Sequence, residues 1–151
     1  MEGKLTAHAA ESPARQERFR TLARYLMTHS LRRTLPAHLR VRRDVAVVVD
    51  ERTVAEPDIV VVGAEAENVV VLAVEVLPSD ADESEPHPYE EAGVTHLWRV
   101  EEDTETERPM VYVHEWDPAS HSYALTGVHR EELTVQVPYR ISVDLTGIDH
   151  L

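Results

Sequence analysis

The stretch Val69–Pro78 reads Val-Val-Val-Leu-Ala-Val-Glu-Val-Leu-Pro and constrains the fold more than any other. Nearly every residue in it is apolar or β-branched, and no helical period shows. That is the pattern of a central strand covered on both faces. Glu75 breaks the rule in mid-strand, where an unpaired carboxylate would be expensive to bury. Pro57-Asp58-Ile59-Val60-Val61-Val62 repeats the pattern, with Asp58 opening a second apolar strand. Two acids in adjacent strands point to a divalent-metal site in a cleft at the sheet. The competing reading is that Asp58 caps a turn after Pro57 and Glu75 pairs with a nearby arginine.

A chain of 151 residues with 42% hydrophobic content fits one domain with a real core. It has no cysteine, which excludes a disulfide framework and cysteine-ligated zinc. No stretch is long and apolar enough for a signal peptide or a membrane span, so a cytoplasmic protein without membrane contact is expected. Charge is unevenly spread. Residues 1–43 carry ten Lys/Arg and three acids, net +7, whereas residues 44–151 carry five arginines and twenty-five acids, net −20. The basic segment suits a local contact with DNA, yet the acidic body would repel a polyanion. The same segment suits docking on that body, or on the body of a second copy in a homo-oligomer.

Residues 1–12 read as a flexible leader and 13–151 as a single domain. Ser12-Pro13 marks a helix start, with Ser12 as N-cap and Pro13 in the first turn. The helix is expected to run to about Leu35, since Pro36 forces an end. Phe19, Leu22, Ala23, Leu26 and Ser30 share one face of it, with Arg18, Arg24 and Arg32 around it. Strands are expected at Leu39–Arg43, Val45–Val49, Pro57–Val62, Val69–Pro78, Val94–Val100, Met110–Trp116, Ser122–Thr126, Leu133–Val137 and Arg140–Val143. Pro78–Pro88, with Asp80, Asp82, Glu83 and Glu85 among three prolines, reads as a loop. The nine histidines include no His-Glu-x-x-His motif, and no glycine-rich phosphate loop is present. Trp98 and Trp116 lie at alternating strand positions that suit a core or a dimer interface.

Three segments taken together resemble the Uma-type family of bacterial restriction endonucleases, small proteins of the PD-(D/E)XK superfamily. They are Pro57-Asp58-Ile59-Val60-Val61-Val62, then Leu72-Ala73-Val74-Glu75-Val76-Leu77-Pro78-Ser79, then Tyr89-Glu90-Glu91-Ala92-Gly93-Val94-Thr95-His96-Leu97-Trp98-Arg99-Val100-Glu101. The segments around Val111–Pro118 and Pro138–Leu145 are similar to that family's closing hairpin and last strand. The resemblance implies an α/β fold: a restriction endonuclease-like mixed sheet of about six strands with a long N-terminal helix packed on it.

The resemblance also implies a magnesium- or manganese-dependent endonuclease hydrolysing DNA phosphodiesters. Asp58 and Glu75 would be the catalytic acids, and with the Val76 carbonyl they would ligate the ion. Hard magnesium takes oxygen ligands, lowers the pKa of a bound water and stabilises charge growing on the phosphate. Superfamily members add a lysine two residues after the acid, here Leu77. The Uma-type family moves it to four residues before the tyrosine that matches Tyr89, and that position is Glu85. The only lysine is Lys4. Glu11 and Glu17 are candidates for a third acid, and His87 for a proton carrier. The expectation is an endonuclease-family domain with weak or absent cleavage. The alternative is a non-catalytic relative that binds a protein or its own copy.

Overall fold

The computed structural model describes residues 12–77, 89 and 92–151. Helix α1, Pro13–Arg33, starts where Ser12 accepts a hydrogen bond from the Arg15 N–H at 3.2 Å, with Pro13 in the first turn. It closes at Thr34, two residues before Pro36. The strands are β1 (Leu39–Arg43), β2 (Val47–Val48), β3 (Val54–Ala55), β4 (Ile59–Gly63), β5 (Val70–Val76), β6 (His96–Asp103), β7 (Arg108–Asp117), β8 (Ser122–His129), β9 (Glu132–Val135) and β10 (Ile141–Asp144). A 3₁₀ helix, Leu145–His150, follows. No helix among the described residues is long and apolar enough to cross a membrane.

Six strands form one mixed sheet in the order β1-β4-β5-β6-β7-β8. All neighbours in it are antiparallel except β5 and β6, which run parallel. The expected mixed sheet with a long helix on it is therefore what forms, and Val70–Val76 lies in its interior. Alternation sorts the side chains onto two faces. Ile59 and Val61, Leu72, Val74 and Val76, Trp98 and Val100, and Val111 and Val113 build the main core with α1. The small β9–β10 sheet and the 3₁₀ helix complete that layer through Leu133, Ile141, Val143, Leu145 and Ile148. The other face carries a smaller core of Val60, Val62, Ala73 and Leu97, covered by the β2–β3 ribbon, Tyr89 and Val94. Both faces of the central strands are thus closed, which is why they read as unbroken apolar runs.

The helix buries a ridge one step round from the expected one. Phe19, Ala23, Met27 and Leu31 are buried, whereas Leu22 and Leu26 pack only partly. Hydrogen bonds at the C-terminal end of the helix hold this rotation together with the core packing. The Tyr139 hydroxyl donates to the Leu31 carbonyl at 2.7 Å, Thr34 Oγ1 to the Arg140 carbonyl at 2.6 Å, and Arg33 to the Ser142 carbonyl at 2.9 Å. Val45–Val49 shortens to Val47–Val48 because its partner is only the two-residue Val54–Ala55. Strand β6 outruns the expected Val94–Val100, since Glu101, Glu102 and Asp103 remain paired with Met110, Pro109 and Arg108. The expected leader falls outside the described residues except Ser12, and the expected Pro78–Pro88 loop falls wholly outside them.

Candidate functional site

Asp58 precedes β4, and its own N–H donates to the Val74 carbonyl at 3.0 Å, which ties it to β5. Its carboxylate is buried and fully engaged. Oδ2 accepts from the Val76 N–H at 2.7 Å. Oδ1 accepts from Arg20 Nε at 2.8 Å and lies 2.7 Å from Arg20 Nη2. Arg24 Nε stands 3.4 Å from the same oxygen, while its Nη2 donates to Asp44 at 2.6 Å. The hydrogen bond to Asp58 raises the Arg20 pKa, against the opposing effect of burial. Arg20 and Arg24 are four residues apart on α1 and so lie on one side of it.

Glu75 lies on β5 across from the Asp58 end of β4. Val74 and Val76 lie in the core under α1, so alternation turns Glu75 to the opposite face. There its Oε2 accepts from the Tyr89 hydroxyl at 2.7 Å. Tyr89 is fully buried, and burial, with the Glu75 carboxylate next, pushes its phenol well above the ordinary range. The charge of Asp58 acts on the same phenol in the same sense. The two acids therefore share an electrostatic neighbour, although each has its own hydrogen-bond donors.

Arg99 of β6 stands in register between Glu75 of β5 and Tyr112 of β7. It is 5% exposed, and its Nε and Nη1 have no hydrogen-bond partner among the described residues. Arg99 thus places a buried guanidinium beside the acid that the sequence singles out. Val76 and Leu77 border a cleft of about 310 Å³ shared with Pro13, Gln16, Phe19 and Arg20. Glu17 and Glu102 also line it. Glu102 is held by Arg15 at 3.4 Å.

These positions decide how well the set suits magnesium. A hard dication needs open carboxylate oxygens. Both Asp58 oxygens already accept from a guanidinium or a backbone N–H, and Glu75 Oε2 accepts from the Tyr89 hydroxyl. Among the described residues no three His, Asp or Glu side chains converge as a metal-binding group. An ion at Asp58 would have to displace Arg20 and Arg24 from its carboxylate. Glu85, His87 and Glu11 lie outside the described residues. Compared with family models, curated proteins and solved structures, the chain matches none.

Arg20 and Arg99 are residues of this region that the sequence reading does not single out. Arg20 was legible as one turn before Arg24. Arg99 carried a sharper signal: a lone cation inside the apolar run Leu97-Trp98-Arg99-Val100.

Proposed function

We propose that this chain is a PD-(D/E)XK-type domain that does not cleave DNA and keeps its acidic pair in internal hydrogen bonds and ion pairs. The observation that carries this reading is the Asp58 carboxylate, closed by Arg20, Arg24 and the Val76 N–H. The chain order supports the fold half of it. Helix α1 is followed by antiparallel β1, β4 and β5 and then by β6 parallel to β5, with Asp58 and Glu75 borne by neighbouring strands. The electrostatics support the other half. A divalent ion approaching Asp58 meets two guanidiniums and must displace both. A polyanionic substrate meets a molecule of net charge −13.

The test compares wild type, Glu75→Gln and the double variant Arg20→Ala/Arg24→Ala. Each is followed by thermal unfolding with magnesium or manganese and by plasmid nicking at low salt. Wild type should show neither a metal-dependent rise in melting temperature nor nicking. The double variant should gain a manganese-dependent rise. Nicking by wild type that disappears in Glu75→Gln would overturn the proposal and restore an active endonuclease.

Strand β8 favours a second reading, a homo-oligomeric module. It is an edge of the main sheet, it carries no Asp, Glu, Lys or Arg, and Leu125 and Val128 are exposed on it. Uncharged edges of this length are templates for pairing with another strand. Sedimentation should then show a dimer that Leu125→Lys dissociates. A monomer at all accessible concentrations rejects it.

A further inference from the structure

Six of the fourteen arginines have an acid to hold among the described residues. Arg15 pairs with Glu102 and Glu107, Arg20 and Arg24 with Asp58, Arg42 with Glu67, Arg108 with Asp149 and Arg130 with Asp103. Arg32 and Arg43 are among those that do not. Neither has an ion pair or a side-chain hydrogen bond among the described residues, and both line the same small notch between α1 and the end of β1.

Tyr25, Thr28 and His29 complete the notch, whose volume is about 130 Å³. The rings of Tyr25 and His29 lie nearly parallel, at 7°, with centroids 6.5 Å apart. Thr28 is 5% exposed, and its Oγ1 is buried without a hydrogen-bond partner among the described residues. Asp44, next to Arg43 in the chain, turns its Oδ1 to Arg24 rather than to Arg43. The carbonyls at the end of α1 do not confront an incoming anion as bare oxygens either. Leu31 O is taken by Tyr139 and Arg32 O by the Leu35 N–H.

We propose that this notch binds a single phosphate group, with Arg32 and Arg43 as its cations and His29 as a further donor. The donor set is the one that a compact oxyanion needs, since guanidinium forks match phosphate oxygens two at a time. The notch has room for one such group. The surrounding negative charge disfavours a long polyanion, so the ligand is free phosphate or the terminal phosphate of a small molecule rather than a nucleic-acid strand. The site is separate from the acidic pair, and the inference does not depend on whether that pair binds metal.

The experiment is a ¹⁵N–¹H NMR titration of the full chain with inorganic phosphate, with a nucleoside 5′-monophosphate and with an unphosphorylated hexathymidylate. Saturable shifts confined to residues around Tyr25–Arg32 and Arg43 are expected with the first two. Arg32→Ala and Arg43→Ala should each weaken binding about tenfold, as loss of one charge-assisted contact does. Arg130→Ala, on a distant surface, should leave it unchanged. Stronger binding of the monophosphate than of inorganic phosphate would identify a small phosphorylated molecule as the ligand. Equal binding would identify free phosphate. Absence of saturable shifts, equal weakening by Arg130→Ala, or preference for the hexathymidylate would each overturn the proposal.

Discussion

Asp58 shows how one buried carboxylate is stabilised by several donors at once. Removing it with Asp58→Ala leaves the Val76 N–H and Arg20 without their acceptor. The loss should be about 2–3 kcal/mol, below the usual figure for a broken buried pair, because the Arg20 side chain is 46% exposed and water screens it. Urea unfolding reads this directly, and an unchanged midpoint would deny Asp58 a structural role. Two titrating side chains give opposite signs. Burial pushes the Tyr139 hydroxyl up to about 12 from an ordinary 10. The unfolded chain therefore loses its proton first, and the contribution is full below pH 10 and is lost as pH rises through about 12. Tyr139→Phe should flatten that alkaline loss and cost about 1 kcal/mol at neutral pH, since the Leu31 carbonyl loses its donor. His96 is shifted the other way. Burial lowers its pKa against the attraction of Glu115. The unfolded chain then takes up its proton first, so stability falls as pH drops through the ordinary histidine range, near 6.5. His96→Gln should remove that part of the acid sensitivity in unfolding midpoints compared between about pH 8 and about pH 5.

Helix α1 is held by both of its chemically distinct sides. Its apolar ridge enters the main core, and its arginines reach Asp58, Asp44 and Glu102 along the flank. The ridge should dominate the energetics. Met27→Ala removes a side chain with no exposed surface and should cost about 2–5 kcal/mol. Leu22→Ala, at a partly buried position, should cost less than half as much. Thermal or urea unfolding of the two variants gives the ratio, and equal losses would mean that α1 sits rotated from the position described. Amphipathic spacing in the sequence was sufficient to find this helix and its start at Ser12–Pro13. It was insufficient to choose between the Leu22/Leu26 and Met27/Leu31 edges of its apolar face. That choice falls to Tyr139, Arg140 and Ser142, more than a hundred residues away in the chain.

At the scale of the whole molecule, one core joins α1, the six-stranded sheet, the β9–β10 pair and the 3₁₀ helix. Damage in the last of these should therefore be felt everywhere. Leu145 is fully buried in that core, and Leu145→Ala should lower global stability by about 2–5 kcal/mol while unfolding remains a single transition. Near- and far-ultraviolet circular dichroism should give the same midpoint. Separate transitions would show that the C-terminal layer folds on its own. The uneven charge of the sequence also resolves here, because the basic helix docks largely on the acidic body of its own chain.

The local pattern alone determined most of the elements. Unbroken β-branched runs announce strands covered on both faces, alternation announces β7, and Ser12-Pro13 and Pro36 bracket α1, because each of these signals is carried by neighbouring residues. Tertiary structure alone decided the partners. Whether Asp58 meets a metal, a turn or an arginine depends on which side of α1 crosses the end of β4, and Arg20 is 38 residues away from it. The rotation of a helix about its own axis is set by the sum of its packing contacts. No local period carries that information, so the acids were visible in the sequence and their pairing with Arg20 and Arg24 was not.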